Sequence, residues 1–598
     1  MDDTHLPYER SWHDDPRMEY AKSWVQDCLS KHDICNADHN ASLGHAERPK
    51  RVLELTIDRD TVLRQSSELS QPFLYVTLSH MWGAHPEQQL QLSQSRLEEF
   101  QTAIPEEELS EVYRTAIKMT LDLGYRYLWI DSLCILQDSS EDWSSEATRM
   151  GVIYRNAVCS LSFLYPPEMG VNPLHDRRAK SPCIFRRATL SRPGLIARPS
   201  PAFFTKYGNF QYGKALLPKI EHWGKYWEWL DWTKWPLFSR AWVLQERLLC
   251  RRHIVVIGYD HLLFECSEYQ CDELIGQLRE EHYPHEKVTE PTKKSFSALQ
   301  YTEHPLDSFV PWFETIYCYR AKRLTRESDR IIALAGVARV FETTNRLTYL
   351  AGMFLEHMPH TLLWHGDKFA ARDADSVISQ ELEVDKIEAL DIKAPSWSWF
   401  ALPTQVEISN DNITYDDTMN VSIFLPPTPA FSWLGHEGNN RPDTSFHDFA
   451  GLRLVLEVPT FSAIASIGRT KDAITLRQFN NLLVNNTSLL GPEIFWVPDT
   501  RSEDLESTTD AVLTILRVYE PYTTHRHVNA EGLILIAGEE SNAWQRIGWW
   551  SSEVSTDQPD DFKHLLELNK RHSRWYEHSS AEAGTKSEAK ETSRLIRL

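Results

Sequence analysis

Tyr127–Asp138 reads YLWIDSLCILQD, and its first nine residues decide the fold class. Tyr127–Ile135 has the length and the aromatic and branched content of a strand, apolar on both faces except at Asp131. Strands buried on both faces belong to parallel sheets covered by helices. A carboxylate in such a strand costs several kcal/mol unless it is paired or shifts its pKa. Asp131 is therefore expected either to meet an arginine or a helix end, or to lie toward the strand terminus, where open α/β sheets bind ligands. Cys134, three residues on, would face the opposite side of such a strand and reads as a buried structural thiol.

The flanking segments alternate. Arg51–Ile57 (RVLELTI) and Phe73–Ser79 (FLYVTLS) read as strands. Glu106–Leu123 places Leu109, Val112, Ala116, Met119 and Leu123 at helical spacing, and Gly124 follows as a stop. Ser139–Asn156 reads as a second helix with Ser139 as N-cap and Glu141 and Asp142 in its first turn. Val158–Leu164 (VCSLSFL) is the next strand. This βαβ series predicts an α/β fold with a parallel sheet and helices on both faces.

Further on, helices are expected at Leu237–Leu249, Val310–Tyr319, Asp329–Phe341 and Gly352–Trp364, and strands at Ile254–Ile257 and Leu262–Glu265. Past Pro395 the pattern becomes short alternating strands, at Asn420–Phe424, Leu452–Val458, Ala511–Tyr519, Gly532–Ala537 and Arg546–Trp549. The expected organisation is a leader (1–71), an α/β domain (72–250), a helical or mixed extension (251–400), a β-rich C-terminal region (401–569) and a charged tail (570–598).

Composition excludes some function classes. The formal net charge of −22 speaks against a nucleic-acid binder acting through its global field. No run approaches ~18 apolar residues, so no membrane span is expected. The N-terminus, MDDTHLPYERSWHDD, lacks a signal-peptide pattern, and the nine cysteines are odd in number and scattered; a cytoplasmic location with reduced thiols is expected. Cys28, His32 and Cys35 have ligand-like spacing, but His39 or His45 would have to complete a site, so a small capping helix is the reading taken and no metal is expected. Cys266 and Cys271 complete no zinc pattern in sequence. Gly124 and Gly151 form no GxGxxG loop, which argues against a dinucleotide-binding dehydrogenase.

Three blocks together carry a family resemblance: YVTLSHMWG (75–83), YLWIDSLCILQD (127–138) with the following Asp142-Trp143, Glu146, Met150, Ile153-Tyr154 and Asn156-Ala157, and LFSRAWVLQERLL (237–249). In this order they resemble the fungal heterokaryon-incompatibility (HET) domain. Met81 stands where that family usually has cysteine, so no role for a thiol there carries over. The resemblance implies a part in fungal non-self recognition ending in programmed cell death. It also carries a proposed distant similarity to TIR domains, flavodoxin-like α/β modules of which several cleave NAD with a glutamate. A flavodoxin- or TIR-like arrangement is compatible with the βαβ series.

On that footing Glu246 and Asp131 are the candidate catalytic residues. Glu246 would stabilise a ribosyl cation, with Trp242 on its helix face. The bland alternative is a surface Glu–Arg pair. Ser79, His80 and Trp82 follow a core strand and, with Arg240 and Trp242, are the candidate ligand-binding residues. NAD is the expected substrate if the domain is catalytic, and no bound cofactor is expected. Two other readings stay open: a non-enzymatic module that meets another incompatibility protein, and an accessory protein of a secondary-metabolite gene cluster.

Overall fold

The structure is a computed structural model. It describes residues 17–36, 48–56, 59–70, 72–81, 89–164, 236–257, 261–272, 292–298, 305–358, 360–366 and 394–401, together with the further strands named below. The chain forms two compact units: one of residues 1–324 and 332–345, the other of 325–331 and 346–598. Among the described residues no helix is long and apolar enough to cross a membrane.

The first unit is α/β. Its strands are β1 (Arg51–Thr56), β2 (Arg59–Gln65), β3 (Tyr75–Ser79), β4 (Tyr127–Trp129), β5 (Ser160–Leu164), a separate hairpin of β6 (Cys183–Arg186) and β7 (Leu195–Ala197), then β8 (Arg252–Ile257), β9 (His261–Cys266), β10 (Gln270–Asp272) and β11 (Gly276–Leu278). Nine of them form one sheet in the order β11-β10-β9-β8-β5-β3-β4-β1-β2. The centre is parallel: β3 pairs with β4 and β5, and β5 with β8. Antiparallel strands extend it on both sides. Every residue of β3 and β5 is buried, as expected of parallel strands covered on both faces. The chain leaves β3 toward β4 on one side and reaches β5 and β8 on the other. The C-terminal end of β3 is thus the place where the strand order reverses, which is where open α/β sheets form their crevice.

The helix expected over Glu106–Leu123 starts only at Glu111, after a 3-10 turn at Glu106–Glu108, whereas the one expected over Ser139–Asn156 runs Ser140–Asn156. Glu111–Asp122 is capped by Ser110, whose hydroxyl accepts the Tyr113 N–H at 3.2 Å. It ends in a Schellman turn: Gly124, at φ +89°, donates to the Leu121 carbonyl at 2.9 Å, and Tyr125 donates to Thr120 at 3.0 Å. Ser140–Asn156 begins with Ser139 accepting the Asp142 N–H at 3.2 Å. Asp142 in turn takes Lys50 Nζ at 2.6 Å, the Leu136 N–H at 2.9 Å and the Arg51 guanidinium. The buried Glu146 accepts from Arg149 at 2.8 Å and from the Lys50 N–H at 3.1 Å. These two acids of the middle block tie the helix to β1.

Two expectations fail. The strand that opens the middle block stops at Trp129, and Asp131–Cys134 is a short helix rather than more strand. The polar side chain decides this. Asp131 Oδ1 accepts the Ser132 N–H at 2.7 Å within the first turn, and the carboxylate keeps 26% of its surface in solvent. Arg51 Nε satisfies the Cys134 carbonyl at 2.8 Å at the other end. Cys134 is therefore not on an opposite strand face, but it is fully buried, and burial pushes its thiol up to about 12. Gly352–Trp364 is not a helix either. Ala351 and Gly352 have φ of +45° and +88°, Pro359 interrupts the span, and short strand and 3-10 segments replace it.

The helices Ala241–Leu249 and Ile332–Asn345 pack with Ser140–Asn156 against one another. Gly151 and Gly336 face each other there. A Cβ on Gly336 would lie 2.5 Å from Gln245 Oε1 and 3.0 Å from Gly151 Cα. The backbones are in contact, so Gly336→Val is expected to destabilise the first unit by about 1–3 kcal/mol. A fall in thermal midpoint checks this, and an unchanged midpoint refutes the close approach.

The second unit contains an antiparallel eight-stranded sheet. Its path runs 482–484, 455–465, 509–514, 527–537, 544–555, 494–498, with 517–519 pairing to 527–537 and 593–597 to 455–465. The expected strands at Gly532–Ala537 and Arg546–Trp549 are parts of the two long central ones. Asn420–Phe424 lies outside the described residues. Below the sheet's buried Arg546, the tryptophans of 394–399 knot the chain: Trp364 Nε1 donates to the Trp397 carbonyl at 3.0 Å and Trp399 Nε1 to Gly352 at 2.9 Å.

Candidate functional site

The helix Ala241–Leu249 (AWVLQERLL) is buried all round, with only Trp242 partly exposed. A helix in that position must find a partner for each charge it carries. Arg247 finds Glu265, with Nε to Oε1 at 2.9 Å and Nη2 to Oε2 at 3.2 Å. Glu265 also meets His253 Nδ1 at 3.2 Å, and His253 Nε2 meets Ser162 Oγ at 2.7 Å. Glu246 turns instead toward the end of β3. Its Oε2 accepts the Ser79 hydroxyl and, at 3.0 Å, the Tyr154 hydroxyl. The expectation of a surface Glu–Arg pair is thus replaced by two separate buried carboxylates.

Among the described residues the hydrogen bonds to Glu246 come from hydroxyls, and that leaves its charge poorly compensated. Burial pushes its carboxyl up to about 7; the Ser79 hydrogen bond and the Arg240 guanidinium oppose the shift, while Asp131 adds to it. Burial likewise raises Tyr154 well above the usual phenol range. His80, the residue after β3, is buried, with its Nε2 2.9 Å from the Tyr113 hydroxyl and its Nδ1 3.7 Å from Asp131 Oδ1. Burial lowers its pKa, Asp131 opposes this, and Arg240 reinforces it, so the imidazole is neutral at pH 7. Tyr113 also bonds Ser132 Oγ at 2.8 Å. Arg240, at the N-cap of the Glu246 helix, donates to the His80 carbonyl at 2.8 Å.

Ser79, His80, Asp131, Arg240 and Glu246 are therefore gathered around the C-terminal ends of β3 and β4. Trp242 meets Trp143 edge-on, ring centres 6.2 Å apart, and Trp82 lies outside the described residues. Tyr154 and Tyr113 were missed as site residues. Tyr154 stands in the family pattern of the middle block, but no role is read there for its hydroxyl. A separate group, Cys28, His32, Cys35 and Cys266, has its ligand atoms within 4.8 Å of one another. His39 and His45 lie outside the described residues.

A parallel-centred α/β domain with a protonatable, buried carboxylate at its strand ends is the class that fold and site define. The sequence model of the family described as heterokaryon incompatibility protein (HET) matches residues 75–246, from the first residue of β3 to Glu246 itself. Residues 75–246 of the chain thus carry a HET domain. It is 26% identical over 213 residues to heterokaryon incompatibility protein 6, OR allele, of Neurospora crassa, a match covering 32% of this chain and 30% of that protein. The chain thus matches less than a third of that relative's length. No solved structure matches the chain.

Proposed function

We propose that this chain acts in heterokaryon incompatibility, with the HET domain as a death effector that hydrolyses NAD in the cytoplasm. The observation that carries the reading is Glu246: a buried carboxylate poised near pH 7 beside the strand ends, as groups that do chemistry often are. The order β4-β3-β5-β8 of the parallel strands is the flavodoxin-like 2-1-3-4 order, which supports kinship with TIR domains.

In this reading the C1′–N1 bond of the nicotinamide riboside breaks and its electron pair leaves with neutral nicotinamide. The ionised Glu246 stabilises the oxocarbenium-like ribosyl group, and water adds at C1′ and releases a proton, giving ADP-ribose. Among the described residues both hydrogen bonds to Glu246 use Oε2, which leaves Oε1 to face the ribose. Asp131 and Trp82 orient the substrate, and Arg240 holds the His80 backbone at the crevice. The C-terminal unit is the regulatory or sensing part, responding to another incompatibility protein.

Expression in a fungal host tests this. Wild type is expected to deplete NAD and kill, and Glu246→Ala to do neither. Death without NAD loss, unchanged in the variant, would show a non-enzymatic interaction module instead.

A further inference from the structure

We propose that Cys28, His32, Cys35 and Cys266 bind a structural zinc ion that pins the N-terminal helices to the sheet. The helix Arg17–Lys31 delivers Cys28 in its last turn, and the short helix Asp33–Asn36 delivers Cys35. Cys266 is the last residue of β9. The four ligand atoms lie within 4.8 Å of one another, His32 Nδ1 being 3.4 Å from Cys266 Sγ. A tetrahedral zinc, with Zn–S of about 2.3 Å and Zn–N of about 2.0–2.1 Å, sets its ligand atoms roughly 3.5–3.8 Å apart. Shifts of about an ångström or less therefore close the set.

The surroundings are built for such a centre. The Asn36 side-chain amide donates to the carbonyls of Cys28 at 2.8 Å and His32 at 2.6 Å, which fixes the backbone between the first three ligands. The Tyr269 N–H points at Cys266 Sγ from 3.4 Å, within a turn closed by the Cys266 N–H on the Tyr269 carbonyl at 2.9 Å. Tyr269 also meets the His32 ring edge-on at 4.4 Å. Such outer contacts orient ligands and steady thiolates.

Arg252 is the independent observation. It is fully buried and always cationic, yet among the described residues its hydrogen-bond partners are Cys28 Sγ at 3.1 Å, the Val158 carbonyl at 3.2 Å and the Asn36 side-chain oxygen. None of these is a carboxylate. A buried guanidinium needs an anion. Three thiolates and one Zn²⁺ carry a net charge of about −1, and the neutral histidine adds nothing, so the loaded centre supplies the negative charge that none of these three partners brings to Arg252. Four protein ligands leave no open coordination position, so the ion holds structure and does not take part in catalysis.

The full chain, purified without a histidine tag, is expected to carry about one zinc per molecule by elemental mass spectrometry. Cys266→Ser is expected to lose it. Cys159→Ser, a buried thiol outside the group, is expected to keep it. Should Cys266→Ser fail to fold, the wild type decides: exchange into cobalt is expected to give the d–d and thiolate charge-transfer bands of a tetrahedral thiolate site, and chelation to lower the thermal midpoint. A wild type that takes up neither zinc nor cobalt, a Cys266→Ser protein that keeps its zinc, or a disulfide among Cys28, Cys35 and Cys266 after thiol trapping overturns the proposal.

Discussion

Glu246→Gln is expected to lower the rate of NAD hydrolysis by the purified chain at least ~10²-fold while making the folded protein more stable above pH 7. Both effects come from one fact. The carboxyl titrates near 7 in the fold against 4.5 ordinarily, because burial outweighs the Ser79 and Tyr154 hydrogen bonds and the Arg240 charge that oppose the shift. A raised folded pKa means the folded state holds the proton more tightly. The stabilisation this gives is fully present below the unfolded value and is lost as pH rises through about 7. At pH 8 wild type carries a buried charge that glutamine removes at nearly the same shape, a difference on the order of 2–3 kcal/mol. Ser79 and Tyr154 can both rotate their hydroxyls to suit the amide.

The rate follows the opposite limb. Wild-type turnover is expected to rise with pH through about 7 as Glu246 ionises, and the residual rate of the variant to be flat. A purely structural glutamate would lose stability on substitution and show no such profile. A less stable variant with undiminished hydrolysis would remove Glu246 from the chemistry.

The sheet's parallel core was legible because strand-like runs alternate with helical periodicity, punctuated by the cap Ser139 and the stop Gly124. The strand Arg252–Ile257, parallel to β5, and the antiparallel His261–Cys266 beside it were also legible as strands, but not as members of the same sheet as Tyr75–Ser79, since pairing is a long-range property. Asp131 misled in an instructive way. Its neighbours extend the apolar run to Ile135, yet one carboxylate suffices to end the strand, because a helix start offers it an N–H and solvent where a ladder offers neither. Glu246 was found through its motif, whereas its partner Tyr154 lies in the same family pattern without any sign of the role of its hydroxyl. The Arg247–Glu265 pair and the Cys28–Cys266 approach join segments that nothing in local spacing connects.

Glu265→Ala is expected to destabilise the first unit by about 3–5 kcal/mol, the largest loss foreseen for any single substitution here. It leaves Arg247 and His253 buried without their shared acceptor. The burial that drives Glu246 upward acts on Glu265 too, but the Arg247 charge and the His253 contact outweigh it and hold this carboxyl well below the usual range. The sign of the pH effect is therefore reversed. A depressed pKa gives stability that is present above the unfolded value, near 4.3, and is lost as pH falls. His253, lowered by burial against the pull of Glu265, adds a loss that begins below about 6.5. Acid unfolding monitored by circular dichroism is expected to shift to higher pH in Glu265→Ala, and a small loss with an unchanged acid midpoint would show that the pair is not the anchor of the helix. The double variant Arg247→Met/Glu265→Leu is expected to recover most of the stability, because an apolar pair of similar volume avoids both desolvation costs. One nine-residue helix thus carries Arg247, whose partner Glu265 is compensated and stabilises the fold, next to Glu246, whose burial is only partly offset and which costs stability when ionised. A carboxylate held in place by stabilising neighbours on the same helix is what the chemistry proposed for Glu246 calls for.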